Sequence, residues 1–425
     1  MNEIYVGRTK TREHVALLDS ARVGHVQIVG ATGRGKTESV ILPWLIQDII
    51  QGKTTIFIDG KGDPEIVRRV KVACKATDVA DGDLAVIDLG NLEASSVTNP
   101  LLFGSPQQIT DRIFSSFIFE KEYFKSLAYD ATLSVVRLLH DVDEKASFKR
   151  IYELLSDDDE LSELVKKTKP GSAKGAERLL AQSRAVRLEN LSGLLSQLSP
   201  FADGELAPLV NATSLEKNFV SLTETLVPPL CPWTYKPVIL ILLPSLLYQE
   251  AAARLGKMLL QEIAWAVGYR ESIGYRTFAS IFLDEFGSFV YPGFINLLNK
   301  ARSTNTAIHL SHQSLGDIEA VSPEFAKALH TNTNVKCILG INDPESADFF
   351  AKHFGTKEVE KTTERAERQW FGSNERTGQM SVRDVEEYKV HPNRLRNFSQ
   401  GMGVLGLIVD GTPVAEEIQF ARAPF

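Results

Sequence analysis

Cysteine is scarce in this chain: Cys74, Cys231 and Cys337 stand far apart, and no two form a CxxC pair. That spacing argues against a disulfide framework or a zinc site and points to a reducing compartment. Long apolar runs are missing too. The longest, PVILILLPSLL from Pro237, is about half of what a spanning helix needs and is broken by Pro244. The opening MNEIYVGRTKTREHV lacks the apolar core of a signal peptide, so the chain is expected to carry no membrane span of its own. Positive charge is not in excess either. Lysine and arginine number 47 against 54 acidic residues, a formal net charge of -7. Bulk charge therefore does not advertise nucleic-acid binding, and any such contact has to come from a locally basic surface. Internal repeats and low-complexity tracts are absent.

What is present is ordinary globular protein, 43% apolar and 24% charged over 425 residues, long enough for two bodies or one large domain with an insertion. Short β-branched or aliphatic runs recur: HVQIVG from His25, TTIFID from Thr54, LAVIDLG from Leu84, PVILILL from Pro237, ASIFLDE from Ala279, AIHLSHQ from Ala307, VKCILG from Val335 and GVLGLIVDG from Gly403. Continuous runs suit strands buried on both faces, and their alternation with helical stretches predicts an α/β fold with a mostly parallel sheet. Between Asn99 and Val227 strand-like runs vanish and helical patterns take over, as in YDATLSVVRLLHDV and LENLSGLLSQL. The predicted organisation is a first part of the α/β domain over 1–104, an all-helical insertion over 105–225, and the second part of the α/β domain over 226–425. The insertion holds an acidic run from Asp157 and a basic stretch from Lys166, each readable as a solvated face. The polar segment from Lys357 to Tyr388 is expected to be a mobile loop or extended arm.

Residues 28–40 read IVGATGRGKTESV. Gly30-Ala31-Thr32-Gly33-Arg34-Gly35-Lys36-Thr37 fits GxxxxGK[ST] between an apolar strand and a helix-compatible stretch, the context that makes it a phosphate loop. Backbone N–H groups would converge on the phosphates of ATP, Lys36 would neutralise the outer ones and the Thr37 hydroxyl would reach Mg²⁺. Hydrolysis also needs a carboxylate for the metal shell and a group to activate water. SIFLDEFGS supplies Asp284 for Mg²⁺ and Glu285 as general base. Downstream, Ser311, His312 and Gln313 end another strand. Gln313 is a candidate γ-phosphate sensor or water-positioning group, while His312 reads as structural. Arg302, in NKARSTN, reads either as a surface arginine or as a finger reaching a neighbouring subunit's nucleotide. The acid pair and the glutamine suit attack by water better than phosphoryl transfer by a small-molecule kinase.

In this order the motifs resemble the conjugative coupling ATPases of type IV secretion, within the FtsK/HerA branch of RecA-like motors. The resemblance rests on His25 before GATGRGKT, on IDGKGDPE from Ile58, TNPLLF from Thr98, FLDEF, the ARS arginine, SHQS, and NTNVKCILGINDPESADFFAKHFG from Asn332. It spans nearly the whole chain. It implies a RecA-like ATPase that assembles as a homo-oligomer, a hexamer when active, with Arg302 as the finger between subunits. It also implies a helical insertion for substrate recognition, whose basic stretch is a candidate contact for DNA or the relaxosome. The implied partners are DNA, relaxase and relaxosome proteins, and components of the type IV secretion channel. The implied location is cytoplasmic, peripheral at the inner membrane's cytoplasmic face. Two features depart from the family pattern: the second-strand motif reads DGKGD where DPKGE is usual, and the phosphate loop arrives within the first 37 residues, where the family usually begins with membrane helices. The rival readings are a HerA- or FtsK-like DNA translocase in repair, segregation or defence, and an ATP-dependent receptor for protein substrates.

Overall fold

The computed structural model describes residues 2–76, 81–169, 171–216, 218–230, 236–366, 376–409 and 411–423. Cys231 and the tip of the Lys357–Tyr388 segment lie outside them. Strands β1 (Glu3–Thr9), β2 (His14–Leu18), β3 (Val26–Val29), β4 (Thr54–Asp59), β5 (Leu84–Asp88), β6 (Val238–Leu242), β7 (Ala279–Asp284), β8 (Thr306–His312), β9 (Val335–Leu339), β12 (Met402–Val409) and β13 (Thr412–Phe420) form one 11-stranded sheet. Its order is β2-β1-β13-β12-β9-β3-β8-β7-β4-β6-β5. From β9 to β5 the pairing is parallel; from β9 to β2 it is antiparallel.

The parallel strands are buried along their length because successive side chains enter two different cores. Ile56, Ile58, Ile281 and Leu283 face one, which continues into helices Glu122–Asp141 and Ser245–Ser272 through Val135, Leu138, Leu255 and Leu259. Phe57, Phe282, Leu240 and Leu242 face the other, against Trp44, Leu45 and Ile49 of helix Leu42–Ile50. Each such side chain contributes roughly 1.5–3 kcal/mol on burial. The block between β5 and β6 is helical. Four of its helices start where the sequence offers a cap: Ser105, Ser147, Asp157 and Ser183 each accept a backbone N–H from the first turn. The buried Asn99 of the TNPLLF stretch ties this block to its strand by donating to Ala146 O at 2.9 Å.

Two regions differ from expectation. Strands β1, β2 and β13 left no apolar run to read, because β13 alternates exposed and half-buried positions over most of its length, as an edge of an antiparallel sheet does. The segment from Lys357, expected as a mobile loop or arm, is an antiparallel ribbon: β10 (Thr356–Ala366) pairs with β11 (Arg376–Tyr388), with Val359 opposite Val385. A two-stranded ribbon standing apart from the main sheet has no core face to fill, so its polar composition imitates a loop.

The edge of the sheet where β3 begins is fixed by a buried ionic cluster. Arg22 pairs with Asp48 and Asp19 and donates through Nε to His309 Nε2 at 3.1 Å, while Lys53 joins both carboxylates. Deeper, on β9, Lys336 is 1% exposed and donates to His330 O at 2.9 Å and to Thr333 Oγ1. Burial lowers its pKa from 10.5 to about 7. The unfolded chain keeps that proton up to about pH 10.5, so the penalty is fully present below pH 7 and fades as pH rises towards 10.5. Lys336→Met is therefore expected to stabilise the fold by about 1–3 kcal/mol at pH 7. The gain should shrink steadily towards pH 10 in melting curves of the two proteins; a gain independent of pH would mean that the lysine is not held there as a costly cation.

Candidate nucleotide site

The loop Gly30–Thr37 leaves the end of β3, in the middle of the sheet, and enters a π-type turn, Thr37–Ile41, before helix Leu42–Ile50. Gly33 and Gly35 have φ of 77° and 94°, where an L side chain is strained, and a Cβ on Gly35 would also come within 3.0 Å of Ser39 Oγ. The loop is pinned from outside: Ala31 N–H donates to Gly340 O at 2.8 Å, and Arg34 O accepts from Gly401 N–H at 3.0 Å. The Arg34 side chain turns towards Phe398 O and Asn342 Oδ1. Lys36, 6% exposed, folds back so that Nζ donates to Gly30 O at 2.7 Å.

Across the cleft, β7 ends at Asp284, in register with Asp59 of β4. Thr37 Oγ1 donates to Asp284 Oδ2 at 2.5 Å, so the two residues expected at the metal already touch. Glu285 takes a left-handed backbone (φ 50°, ψ 45°), a conformation that costs a non-glycine residue on the order of 1 kcal/mol. Its N–H holds the bend by donating to Asp284 Oδ1 at 3.0 Å and Ser311 Oγ at 3.2 Å. The Glu285 carboxylate then meets Gln313: Nε2 donates to Glu285 Oε2 at 3.4 Å, while Thr32 Oγ1 donates to Gln313 Oε1 at 3.0 Å. A polar chain thus runs from the phosphate loop through the glutamine to the acid, along the rim of a cleft of about 190 Å³.

Asp59 lies in the same cleft, with its carboxylate accepting the N–H groups of Lys61 and Asp63 and so shaping the DGKGD loop. Burial, with Asp284 adding repulsion, pushes its pKa up to about 6. His312 is buried behind Gln313. Gln27 Nε2 donates to His312 Nε2 at 2.8 Å, which leaves Nδ1–H to donate to Ser314 O at 2.7 Å. Burial lowers its pKa to about 4, so it works as a neutral strut.

Arg302 is not gathered into this site. It is exposed, just after helix Phe294–Ala301 and before β8 begins at Thr306, on the side where His25 precedes β3 and feels its charge. The seven residues of β8 span about 20 Å between that edge and the phosphate loop. Two further contributors left no motif. Gln400 lines the cleft from the C-terminal part of the chain, which only folding brings there. Asp317 Oδ2 accepts the N–H groups of Gln313 and Ser314 at 2.7 and 3.1 Å; an aspartate shortly after a polar strand end is the signal that would have found it.

Residues 279–400 match the family described as the TraM recognition site of TraD and TraG. A type 4 coupling protein, DotL of Legionella pneumophila, is 24% identical over 421 residues, covering 83% of this chain and 52% of that protein. The chain thus spans about half the length of that curated relative. Among solved structures, the unbound bacterial conjugative coupling protein TrwB superposes with a TM-score of 0.69 at 15% identity, over 97% of this chain and 89% of its own. Its complex with ADP and Mg²⁺ gives 0.65 at 15% identity, over 96% and 89%. VirB4 of Thermoanaerobacter pseudethanolicus gives 0.58 at 16% identity, over 99% and 97%. Family match, relative and fold accord with the order of the motifs: the chain is similar to type IV coupling proteins in the segment 279–400, in sequence to one curated relative, and in overall fold.

Proposed function

We propose that this chain is the ATP-hydrolysing motor of a coupling protein, using turnover to deliver DNA with its relaxase to a type IV secretion channel. The observation that carries the reading is the chain Thr32–Gln313–Glu285 beside the Thr37–Asp284 contact. It links a phosphate loop to an acid suited to deprotonating water. Thr37 and Asp284 offer hard oxygen ligands beside the phosphate cradle, and among the described residues no cluster of three or more His, Cys, Asp or Glu side chains could hold a metal by itself. Such a donor set suits Mg²⁺, which takes one or two protein oxygens and completes its shell with phosphates and water. The ion would supply charge neutralisation on the phosphate oxygens.

Each residue then has a task. Gly30–Thr37 hold the phosphates, Lys36 leaves the Gly30 carbonyl for the outer phosphates, Glu285 takes the proton of the attacking water, and Gln313 orients that water. Arg302 serves a neighbouring protomer, which makes a ring, a hexamer in the active state, the working form. The helical block 105–225 acts as the recognition unit, and relaxosome proteins are partners, consistent with the family matched at residues 279–400. Among the described residues no helix is long and apolar enough to cross a membrane. The chain is assigned to the cytoplasmic face of the inner membrane through its channel partners.

Steady-state ATP turnover with and without single- and double-stranded DNA tests the reading, with Lys36→Ala as the binding-deficient reference. We expect DNA to raise turnover several-fold and Lys36→Ala to remove it in both states. Turnover indifferent to DNA but raised by a secreted protein would favour the receptor reading instead.

A further inference from the structure

The basic stretch from Lys166 has no part in the nucleotide cleft. It folds into the end of helix Asp158–Lys167, the short helix Lys174–Leu180 and the start of helix Arg184–Ala202. Gly175, having no side chain, lets the short helix sit directly on Ser134 of helix Glu122–Asp141. That contact brings Lys174 and Arg178 to Arg137 around a pocket of about 440 Å³. Arg187 closes the floor, 1% exposed, paired with Asp158 and donating to Leu179 O at 3.0 Å, so its charge is already compensated.

The other three cations are different. Arg137, Lys174 and Arg178 are exposed, and among the described residues no carboxylate forms an ion pair with any of them. Asp130 is the one acid in the pocket wall among the described residues. Several other cations on the insertion are engaged: Arg150 gathers Glu144, Glu153 and Glu160, Lys125 pairs with Glu122, and Lys166 with Glu163. A chain of net charge -7 thus leaves three uncompensated cations converging on one concavity. Two are guanidinium forks, which match phosphate oxygens two at a time. Gln182 and Asn190 add amide donors, and among the described residues no aromatic ring lines the wall to stack on a base. Such a surface would read a phosphate backbone without reading sequence.

We propose that this pocket docks the phosphodiester backbone of DNA onto the helical insertion. The proposal rests on the DNA-handling reading above and gives it a location apart from the nucleotide cleft. The test is binding of labelled single- and double-stranded DNA, without nucleotide, across a salt series. The triple variant Arg137→Ala/Lys174→Ala/Arg178→Ala is compared with Lys125→Ala/Lys166→Ala, which removes cations that are already paired.

The triple variant should bind at least about tenfold more weakly near 0.1 M salt, with a log–log salt slope shallower by about 2–3 for duplex DNA. The control variant should match the parent. Unchanged melting temperature and DNA-free ATP turnover in both would exclude misfolding. Equal affinity and slope in the triple variant, or no DNA binding by the parent, overturns the proposal. So does loss of binding to phosphatidylglycerol vesicles with DNA binding intact, which would make the pocket a lipid-headgroup site. Because nucleotide is left out, failure here is separable from failure of the motor reading, which would appear as DNA-indifferent turnover with the pocket intact.

Discussion

Glu285→Gln should lower ATP turnover by roughly 10²–10⁴-fold while changing nucleotide affinity by no more than about threefold. The substitution keeps size and shape and removes only basicity. The left-handed backbone at Glu285 is held by its own N–H on Asp284 Oδ1 and Ser311 Oγ, and neither contact involves the side chain that changes. Gln313 can still meet the new side chain through its amide groups. Lys36 and Thr37, the proposed phosphate and Mg²⁺ contacts, are untouched. Single-turnover phosphate release measures the first effect and titration with a fluorescent ATP analogue the second. If turnover falls by less than tenfold, the base lies elsewhere, and Asp59, the raised-pKa carboxylate of the same cleft, becomes the next candidate. If affinity falls in parallel with turnover, Glu285 is binding nucleotide rather than activating water.

The route to Glu285 was legible because parallel strands buried on both faces leave continuous apolar runs. FLDEF marks where one such strand stops and polar chemistry starts, and the run before Gly30 does the same for the phosphate loop. The eight runs read from the sequence correspond to strands β3 to β9 and β12. The strands left unread lack a continuous buried run: β2 joins β1 and β13 joins β12 in local hairpins, and β1 and β13 then pair from opposite ends of the chain. No local pattern announces such a pair. The same holds for Gln400, carried to the cleft by the return of the C-terminal segment over Arg34, where Gly401 N–H meets the Arg34 carbonyl. His312 was read as a structural residue, and its place between Gln27 and Ser314 gives that reading a mechanism: it braces the turn that presents Gln313. The DGKGD loop departs at Gly60 and Asp63 from the DPKGE of the family it resembles, yet Asp59 organises it through the backbone N–H groups of Lys61 and Asp63, and neither bond needs the side chain that differs.

Arg302→Ala should reduce turnover of the assembled protein by about 10³–10⁵-fold, with little effect on an isolated protomer's affinity for nucleotide. Geometry gives this prediction its form. Within one protomer the arginine stands at the edge where β8 begins, and Gln313 follows the end of the same strand, so the guanidinium cannot serve its own phosphate loop. It is exposed, among the described residues no carboxylate pairs with it, and it is therefore available to a neighbour. Mixing separates this arrangement from a structural role. Arg302→Ala protomers keep an intact Glu285, and Glu285→Gln protomers keep an intact Arg302, so a mixed ring contains interfaces in which one subunit supplies the base and the next the finger. Turnover of an equimolar mixture should exceed that of either variant alone by at least tenfold and depend on total protein concentration. A mixture no better than its components, with assembly unchanged by mass photometry, would remove the finger assignment. Full activity of Arg302→Ala alone would return the residue to the surface arginine that its sequence context first allowed.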